Sequence, residues 1–488
     1  MSSLLSLKKI DEVYFRVDAE PHIIRELYDR FTFVVPNAKF MPQYKAGLWD
    51  GKLHLFSYRD NTIYAGLISH IKDFCDEYEY ELVDHSEVGD FEFSVHEAEE
   101  FIKSLELPDQ YKPRDYQIDA FISAVRKRRM LLLSPTGSGK SLIIYLLTRY
   151  YLENQEKKIL IIVPSTSLIV QLSKDFIDYG FNSRHIHRIM AGQSKTTNRP
   201  VVVSTWQSLF RLSKNFFDDY GMVVVDECHG VKAKSLTGIM TKTPNIKYRF
   251  GTTATLDGTL TNKLVIEGLL GKVHKVTETK KLIDEKILSD FLVKAIILKH
   301  ETSIKANTKY QDEIDYLITS TERNNFIKNL ALSLDGNTLV LFNYVEKHGV
   351  PLFNLIKGTD NNRKVFFVHG GTDLGTREEV RNLVEQETNA IIVASSGVFS
   401  QGINIKRLNN IIFTHPGKSR IRTLQSIGRT LRKIDDNEAI LYDIVDDLSG
   451  GRKYVNFAIK HYQERFTIYK SEKFKVKSYN VELKKGTV

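Results

Sequence analysis

The chain has 488 residues, 42% hydrophobic and 26% charged, an ordinary globular composition spread over a length that calls for about three or four domains. The start MSSLLSLKKIDEVYF meets charge too soon for a secretory leader, and no run approaches the length of a membrane span. Two cysteines, Cys75 and Cys228, exclude a disulfide framework and fit a reducing cytoplasm. The net charge is +9 although residues 71–110 hold fourteen acidic against two basic residues, so the rest is more basic than the total and favours a polyanionic partner.

Residues 1–75 alternate short apolar runs (VYFRV, FTFVV, KLHLF, TIYAGL) with a helical pattern at HIIRELYDRF, which predicts a small α/β module. LWDGKLHLF places a Trp-Asp-Gly turn between candidate strands, a hairpin signal. An acidic connector follows, with one strand and one helix.

From Tyr111 the pattern changes. Runs apolar on both faces (MLLLS, ILIIVP, VVVST, MVVVDE, YRFGTT) alternate with helical segments, the signature of a parallel sheet covered on both sides. A second series (FLVKAIIL, NTLVLF, KVFFVHG, AIIVAS, NIIFTH, AILYDIVD) starts near residue 290. The expected order is a small α/β domain with its acidic connector over 1–95, two tandem parallel-sheet α/β domains over 96–285 and 286–450, and a basic segment over 451–488. Two such domains in tandem create a cleft for a ligand.

SPTGSGKS (134–141) lies between the strand MLLL and the helix SLIIYLLTRYYL, the setting of a phosphate-binding loop. Gly137 and Gly139 let the backbone approach phosphate oxygens, and exposed N–H groups at the helix start bind anions. Ser134, Pro135, Thr136, Gly137, Ser138, Gly139, Lys140 and Ser141 would form the phosphate cradle. Lys140 faces the β- and γ-phosphates, and the Ser141 hydroxyl can ligate Mg²⁺. Ser134 stands where the strict pattern has its first glycine.

VVVDECHG (223–230) sets four reactive side chains in a row. Neighbours on a strand point to opposite faces, which disfavours a four-ligand metal cage. The stretch ends another parallel strand, so its carboxylates share the phosphate edge of the sheet. Asp226 can hold Mg²⁺, and Glu227 can orient or deprotonate the attacking water. Cys228 reads as a small space-filling residue.

These motifs resemble, in order and spacing over about residues 111–450, the superfamily 2 helicases and translocases of the DExH type. The resemblance implies two RecA-like motor domains that hydrolyse ATP with Mg²⁺. PRDYQ (113–117) is similar to the family's adenine-recognition motif, with Gln117 on adenine and Arg114 in support. VPSTSLIVQ and STWQSL resemble nucleic-acid backbone grips and nominate Ser165, Thr166 and Thr205. GTTATL (251–256) resembles the SAT motif, which links nucleotide state to domain movement through Thr253, Ala254 and Thr255, and His229 would be a relay to it or to the second domain, or make a plain structural hydrogen bond. SSGVFSQGINI (395–405) resembles motif V, with Gly402 in place and Asn404 where Asp is common. QSIGRTLRK (425–433) resembles motif VI: it opens on Gln425, and Arg429 and Arg432 would act as arginine fingers on the γ-phosphate.

The N-terminal module with its WDG turn is similar to that of the UvsW-type phage recombination and repair helicases. This implies an ATP-driven DNA helicase that remodels Holliday junctions, forks, D-loops or R-loops, as a monomer, in the cytoplasm of a bacterial host. It would act on double-stranded or branched DNA, RNA–DNA hybrids included, with no membrane partner. Lys39, Tyr44, Lys45, Trp49, Lys52 and His54 would contact duplex, although Trp49 equally suits core packing. The motor motifs alone also suit a restriction or nuclease complex subunit, or a DExH RNA helicase. The intact Lys140, Asp226, Glu227, Arg429 and Arg432 argue against a non-catalytic relic.

Overall fold

The computed structural model describes residues 4–36, 38–85, 89–230, 233–256, 260–288, 291–301, 308–359, 362–401, 405, 408–415, 439–450 and 454–483. The chain divides into two compact units, one of residues 1–134 and 139–277, the other of 135–138 and 278–488.

The first unit begins with strands β1 (Leu4–Lys9), β2 (Tyr14–Ala19), β3 (Thr32–Val34), β4 (Lys52–His54), β5 (Phe56–Ser57), β6 (Thr62–Tyr64) and β7 (Glu81–His85). Five of them form a mixed sheet in the order β5-β6-β2-β1-β7. Alternation in β1 and β2 sends Leu5, Leu7, Phe15 and Val17 inward. The helix Pro21–Arg30 brings Ile23, Ile24 and Leu27 onto that face, and the helix Ile68–Glu77 brings Ile71, Phe74 and Cys75. The WDG turn does lead into β4, but the partner of β4 is β3, reached across residues 35–51.

Next come β8 (Arg129–Leu133), β9 (Lys158–Val163), β10 (Ile186–Ile189), β11 (Val201–Thr205), β12 (Tyr220–Val225), β13 (Tyr248–Thr253) and β14 (Val273–Lys275). They make an all-parallel sheet, β10-β11-β9-β12-β13-β8-β14. Apart from Lys158 at the start of β9, its central strands are buried throughout, as their runs of Val, Ile and Leu demand.

The N-terminal module and this sheet share one hydrophobic core that runs from Leu5 through Leu131 to Leu270. Glu12 N–H donates to Pro244 O at 2.9 Å, and Arg129 Nη2 donates to Glu12 O at 2.7 Å. His70 Nε2 lies 3.0 Å from the buried Glu267 Oε2. Behind them, the fully buried Arg249 donates to the carbonyls of Met240, Thr243 and Leu269 at 2.8 to 3.0 Å. These close the last turns of the helices Ala233–Met240 and Leu260–Leu270, where orphan carbonyls and the negative dipole end favour a cation.

The second unit contains β15 (Phe291–His300), β16 (Thr338–Phe342), β17 (Val365–Val368), β18 (Ile391–Ser395), β19 (Asn410–Phe413), β20 (Ala439–Asp447) and β21 (Lys475–Leu483). It is again all parallel, β17-β18-β16-β19-β20-β15-β21. Residues 454–483 of the basic C-terminal segment are built into this unit. The buried Glu313 carboxylate accepts from Phe457 N at 3.0 Å and Ala458 N at 2.7 Å, capping the helix Phe457–Ser471. Arg465 pairs with Asp443 through two bonds of 2.7 and 2.9 Å, and β21 then joins β15. The architecture is the expected one, two parallel-sheet domains behind a small α/β module. Among the described residues no helix is long and apolar enough to cross a membrane.

Candidate nucleotide site

Strand order builds the site. In β12-β13-β8, the strand that ends in Thr252 and Thr253 lies between the strand leading to Asp226 and the strand leading to the glycine-rich loop. Because all three run parallel, their carboxyl ends meet on one edge, where ligands of such sheets bind. The β12–β13 register ends with Val225 opposite Gly251, so the next residues, Asp226 and Thr252, come side by side.

Gly137 and Gly139 have φ of 86° and 81°, left-handed values that glycine adopts without the steric cost of a Cβ. At Gly139 a Cβ would collide with Gln117 Nε2. Ser134 N–H donates to Thr253 O at 2.8 Å, and Ser134 O accepts from Lys140 Nζ at 3.3 Å. Lys140 Nζ also lies 3.3 Å from Glu227 Oε1, with both side chains mostly withdrawn from solvent. Ser138 Oγ donates to Pro135 O at 2.6 Å, closing the loop on itself, with Thr136 at its tip. Ser141 Oγ shares a hydrogen bond of 3.0 Å with Tyr179 OH.

Asp226 Oδ1 accepts from Thr252 Oγ1 and, at 2.9 Å, from Glu227 N. Burial first, then the charge of Glu227, push the Asp226 carboxyl up to about 6, against the pull of Lys140 and these hydrogen bonds. Glu227 has φ +47°, a left-handed backbone that costs a side-chain-bearing residue about 1 kcal/mol or more. His229 Nδ1 shares a hydrogen bond with Thr253 Oγ1 and lies 3.4 Å from Glu227 Oε2. Thr253 Oγ1 also donates to Thr255 O at 2.7 Å. Cys228 is fully buried, its thiol pushed well up by burial and the two carboxylates, so it is a spacer without thiolate character. Among the described residues no group of three or more His, Cys, Asp and Glu side chains is placed to hold a metal ion.

Gln117 is buried; its Oε1 accepts from Arg114 N at 2.8 Å and its Nε2 reaches Gly139 O at 3.5 Å. The adenine-motif glutamine therefore ties its own helix start to the loop, and Arg114 Nη1 touches Tyr116 OH at 3.4 Å. Ser165 caps the helix Thr166–Asp178 through Leu168 N. Thr205 Oγ1 lies 3.2 Å from Ser208 Oγ. Ser165 and Thr166 follow the carboxyl end of β9 and Thr205 is the last residue of β11, on the edge that carries the loop.

Trp49 and Lys52 sit on the N-terminal module instead. The Trp49 indole donates to Lys52 O at 2.7 Å, and Asp50 takes both Lys52 N and His54 Nε2 at 3.0 Å. Gly402, Asn404, Gln425, Arg429 and Arg432 lie outside the described residues. Sequence reasoning missed Thr252 and Tyr179: strand register reveals the first, and only the packing of two helices reveals the second.

The chain matches three known families: "DNA helicase UvsW, N-terminal" over residues 5–84, "Type III restriction enzyme, res subunit" over 110–258, and "Helicase conserved C-terminal domain" over 322–433. It is 36% identical over 490 residues to the ATP-dependent DNA helicase uvsW of Enterobacteria phage T4, covering 95% of this chain and 97% of the relative. The crystal structure of T4 UvsW superposes with a TM-score of 0.53 at 34% identity, over 99% of this chain and all of that one. A DNA 3'-5' translocase, XPB2 of Sulfurisphaera tokodaii, is 25% identical over 72% of this chain and 87% of its own length. The chain belongs to the UvsW family of ATP-dependent DNA helicases.

Proposed function

We propose that this helicase remodels branched DNA, including junctions, forks, D-loops and R-loops, by coupling ATP hydrolysis to strand translocation. The observation that carries the reading is the single sheet edge on which Lys140, Asp226, Glu227, Thr253 and the candidate backbone contacts Ser165, Thr166 and Thr205 converge.

The assigned roles follow the chemistry. Lys140 balances phosphate charge, and the loop 134–141 cradles the β- and γ-phosphates. Ser141 and Asp226 would hold Mg²⁺. Hydroxyl and carboxylate oxygens are the hard donors this ion takes, and the raised Asp226 carboxyl beside Glu227 is a buried negative site that a cation would relieve. The ion supplies charge neutralisation at the phosphate oxygens. Glu227 orients and deprotonates the attacking water, while His229 and Thr253 tie its position to the TAT turn. Arg114 and Gln117 serve the adenine side, which requires Gln117 to exchange its bonds to Arg114 N and Gly139 O. Gly402, Asn404, Gln425, Arg429 and Arg432 are assigned through the motifs alone, the arginines to the γ-phosphate in the transition state.

On the N-terminal module, exposed Phe40, Tyr44 and Leu48 stand among Lys39, Lys45 and Lys52, a basic and apolar surface suited to a DNA backbone with accessible bases. Trp49, in the turn, and His54, at the end of β4, join that surface, held by their bonds to Lys52 O and Asp50. We assign the active form as a monomer working in the cytoplasm of a bacterial host.

A substrate panel tests this reading: four-way junction, fork, RNA–DNA hybrid and blunt duplex, each with ATP. Unwinding of the branched substrates, with ATPase stimulated by DNA, is expected. Activity confined to RNA duplexes would overturn it.

A further inference from the structure

We propose that Tyr179 is a positioning residue that orients the Ser141 hydroxyl to ligate the metal ion of the nucleotide; this rests on the assignment of Mg²⁺ to Ser141 and Asp226. Ser141 is the second residue of the helix Lys140–Asn154, and Tyr179 directly follows the neighbouring helix Thr166–Asp178. Their hydroxyls lie 3.0 Å apart.

The phenol is held from several sides. Tyr179 is 8% exposed. Its ring meets the edge of Tyr111 at a 4.8 Å centroid separation and 76°, and that of Tyr145 at 5.3 Å and 64°. Its amide donates to Asp175 O at 3.0 Å. Its carbonyl accepts from Tyr145 OH at 3.2 Å, and that hydroxyl in turn accepts from Arg149 Nη1 at 2.9 Å. The two backbone bonds fix where the side chain starts, and the ring cannot swing off Ser141 without losing its edge contacts with Tyr111 and Tyr145.

The chemistry makes orientation matter. A serine hydroxyl has one proton and two lone pairs. As a metal ligand it must offer a lone pair to the cation and point its proton elsewhere. Tyr179 OH is an acceptor at hydrogen-bond distance for that proton. When Ser141 donates to it, the serine oxygen is left with its lone pairs for the metal. Partners of this kind fix the orientation and basicity of metal ligands, and their loss typically lowers metal affinity about 10–100-fold.

The test is binding of a fluorescent ATP analogue to the full chain, titrated with Mg²⁺ and repeated in EDTA. Y179F keeps the ring and loses only the hydroxyl. The expected result is a weakening of the Mg²⁺-dependent gain in affinity by about 10-fold, with the EDTA affinity and the melting temperature unchanged. S141A should lose that gain, and the double variant Y179F/S141A should be no weaker than S141A alone. An unchanged Mg²⁺ titration in Y179F would overturn the proposal. So would equal losses with and without Mg²⁺, which mark a packing role, or additive effects in the double variant. If S141A itself retains the full gain, the assignment of the metal to Ser141 fails first, and the role of Tyr179 fails with it.

Discussion

Lys140 Nζ lies 3.3 Å from Glu227 Oε1, so the lysine assigned to phosphate is held by the carboxylate assigned to water. The pair satisfies two charges that would otherwise be poorly solvated on the sheet edge. On the roles proposed above, a bound phosphate would give Lys140 a stronger partner and release Glu227 for its own task. Binding and activation of the proposed base would thereby be joined in one exchange of ion partners.

Glu227→Gln removes the proposed base and weakens this pair while keeping shape. Turnover is expected to fall by about 10²–10⁴-fold, the usual contribution of a positioned base, with nucleotide and DNA binding retained. Steady-state ATPase together with filter binding measures both, and near-normal turnover would sink the assignment.

Asp226 has its folded pKa raised to about 6. A raised acid contributes stability that is full below the unfolded carboxylate range and is lost as pH rises through about 6. Asp226→Asn is therefore expected to stabilise the nucleotide-free protein at pH 8 by on the order of 1–3 kcal/mol. The gain should shrink below pH 6, while Mg²⁺-dependent nucleotide affinity disappears. Thermal melts across pH, without nucleotide, check the sign; a destabilised variant at pH 8 would contradict it.

His348 is fully buried in the second unit, its Nε2 3.2 Å from Asn324 Oδ1. Burial, then the Arg323 guanidinium, hold its pKa down to about 3. A depressed histidine contributes stability present above about 6.5 and lost progressively as pH falls toward 3. Between pH 7.5 and pH 5 the second unit should lose about 2 kcal/mol on this account. Denaturant melts at the two pH values measure it, and His348→Gln should flatten that slope.

Gly66 packs against the carbonyl oxygens of Glu267 and Gly268, where a Cβ would collide with both. Gly66→Ala should cost the first unit roughly 3 kcal/mol, at the upper end for overpacking. The lost cooperativity should appear as separate protection of residues 4–85 and 89–277 in hydrogen exchange.

The sheets were legible because their central strands are apolar on both faces: ILIIVP, VVVST and MVVVDE became β9, β11 and β12. In the two parallel sheets the strands not anticipated, β10, β14 and β21, are edge strands whose sequences IHRI, VHK and KVKSYNVEL mix polar residues among the apolar ones; in the N-terminal sheet β1 (LLSLKK), between β2 and β7, was also not anticipated, because it is short and ends in two lysines. The loop 134–141 and DECH announce themselves by composition and position. Thr252 does not, because its bond to Asp226 depends on which strand lies beside β12. Glu313 is another such case: nothing near it in sequence shows that it caps a helix starting at Phe457.

Arg129, which binds Glu12 O, opens the strand that ends in the phosphate loop. With the core continuous on either side, the N-terminal module has no slack against that strand. It is a fixture bolted to the nucleotide-binding sheet rather than a tethered accessory. Load placed on the module is felt at the base of β8, and displacement of the first motor domain moves the module's exposed lysines and aromatics by the same distance.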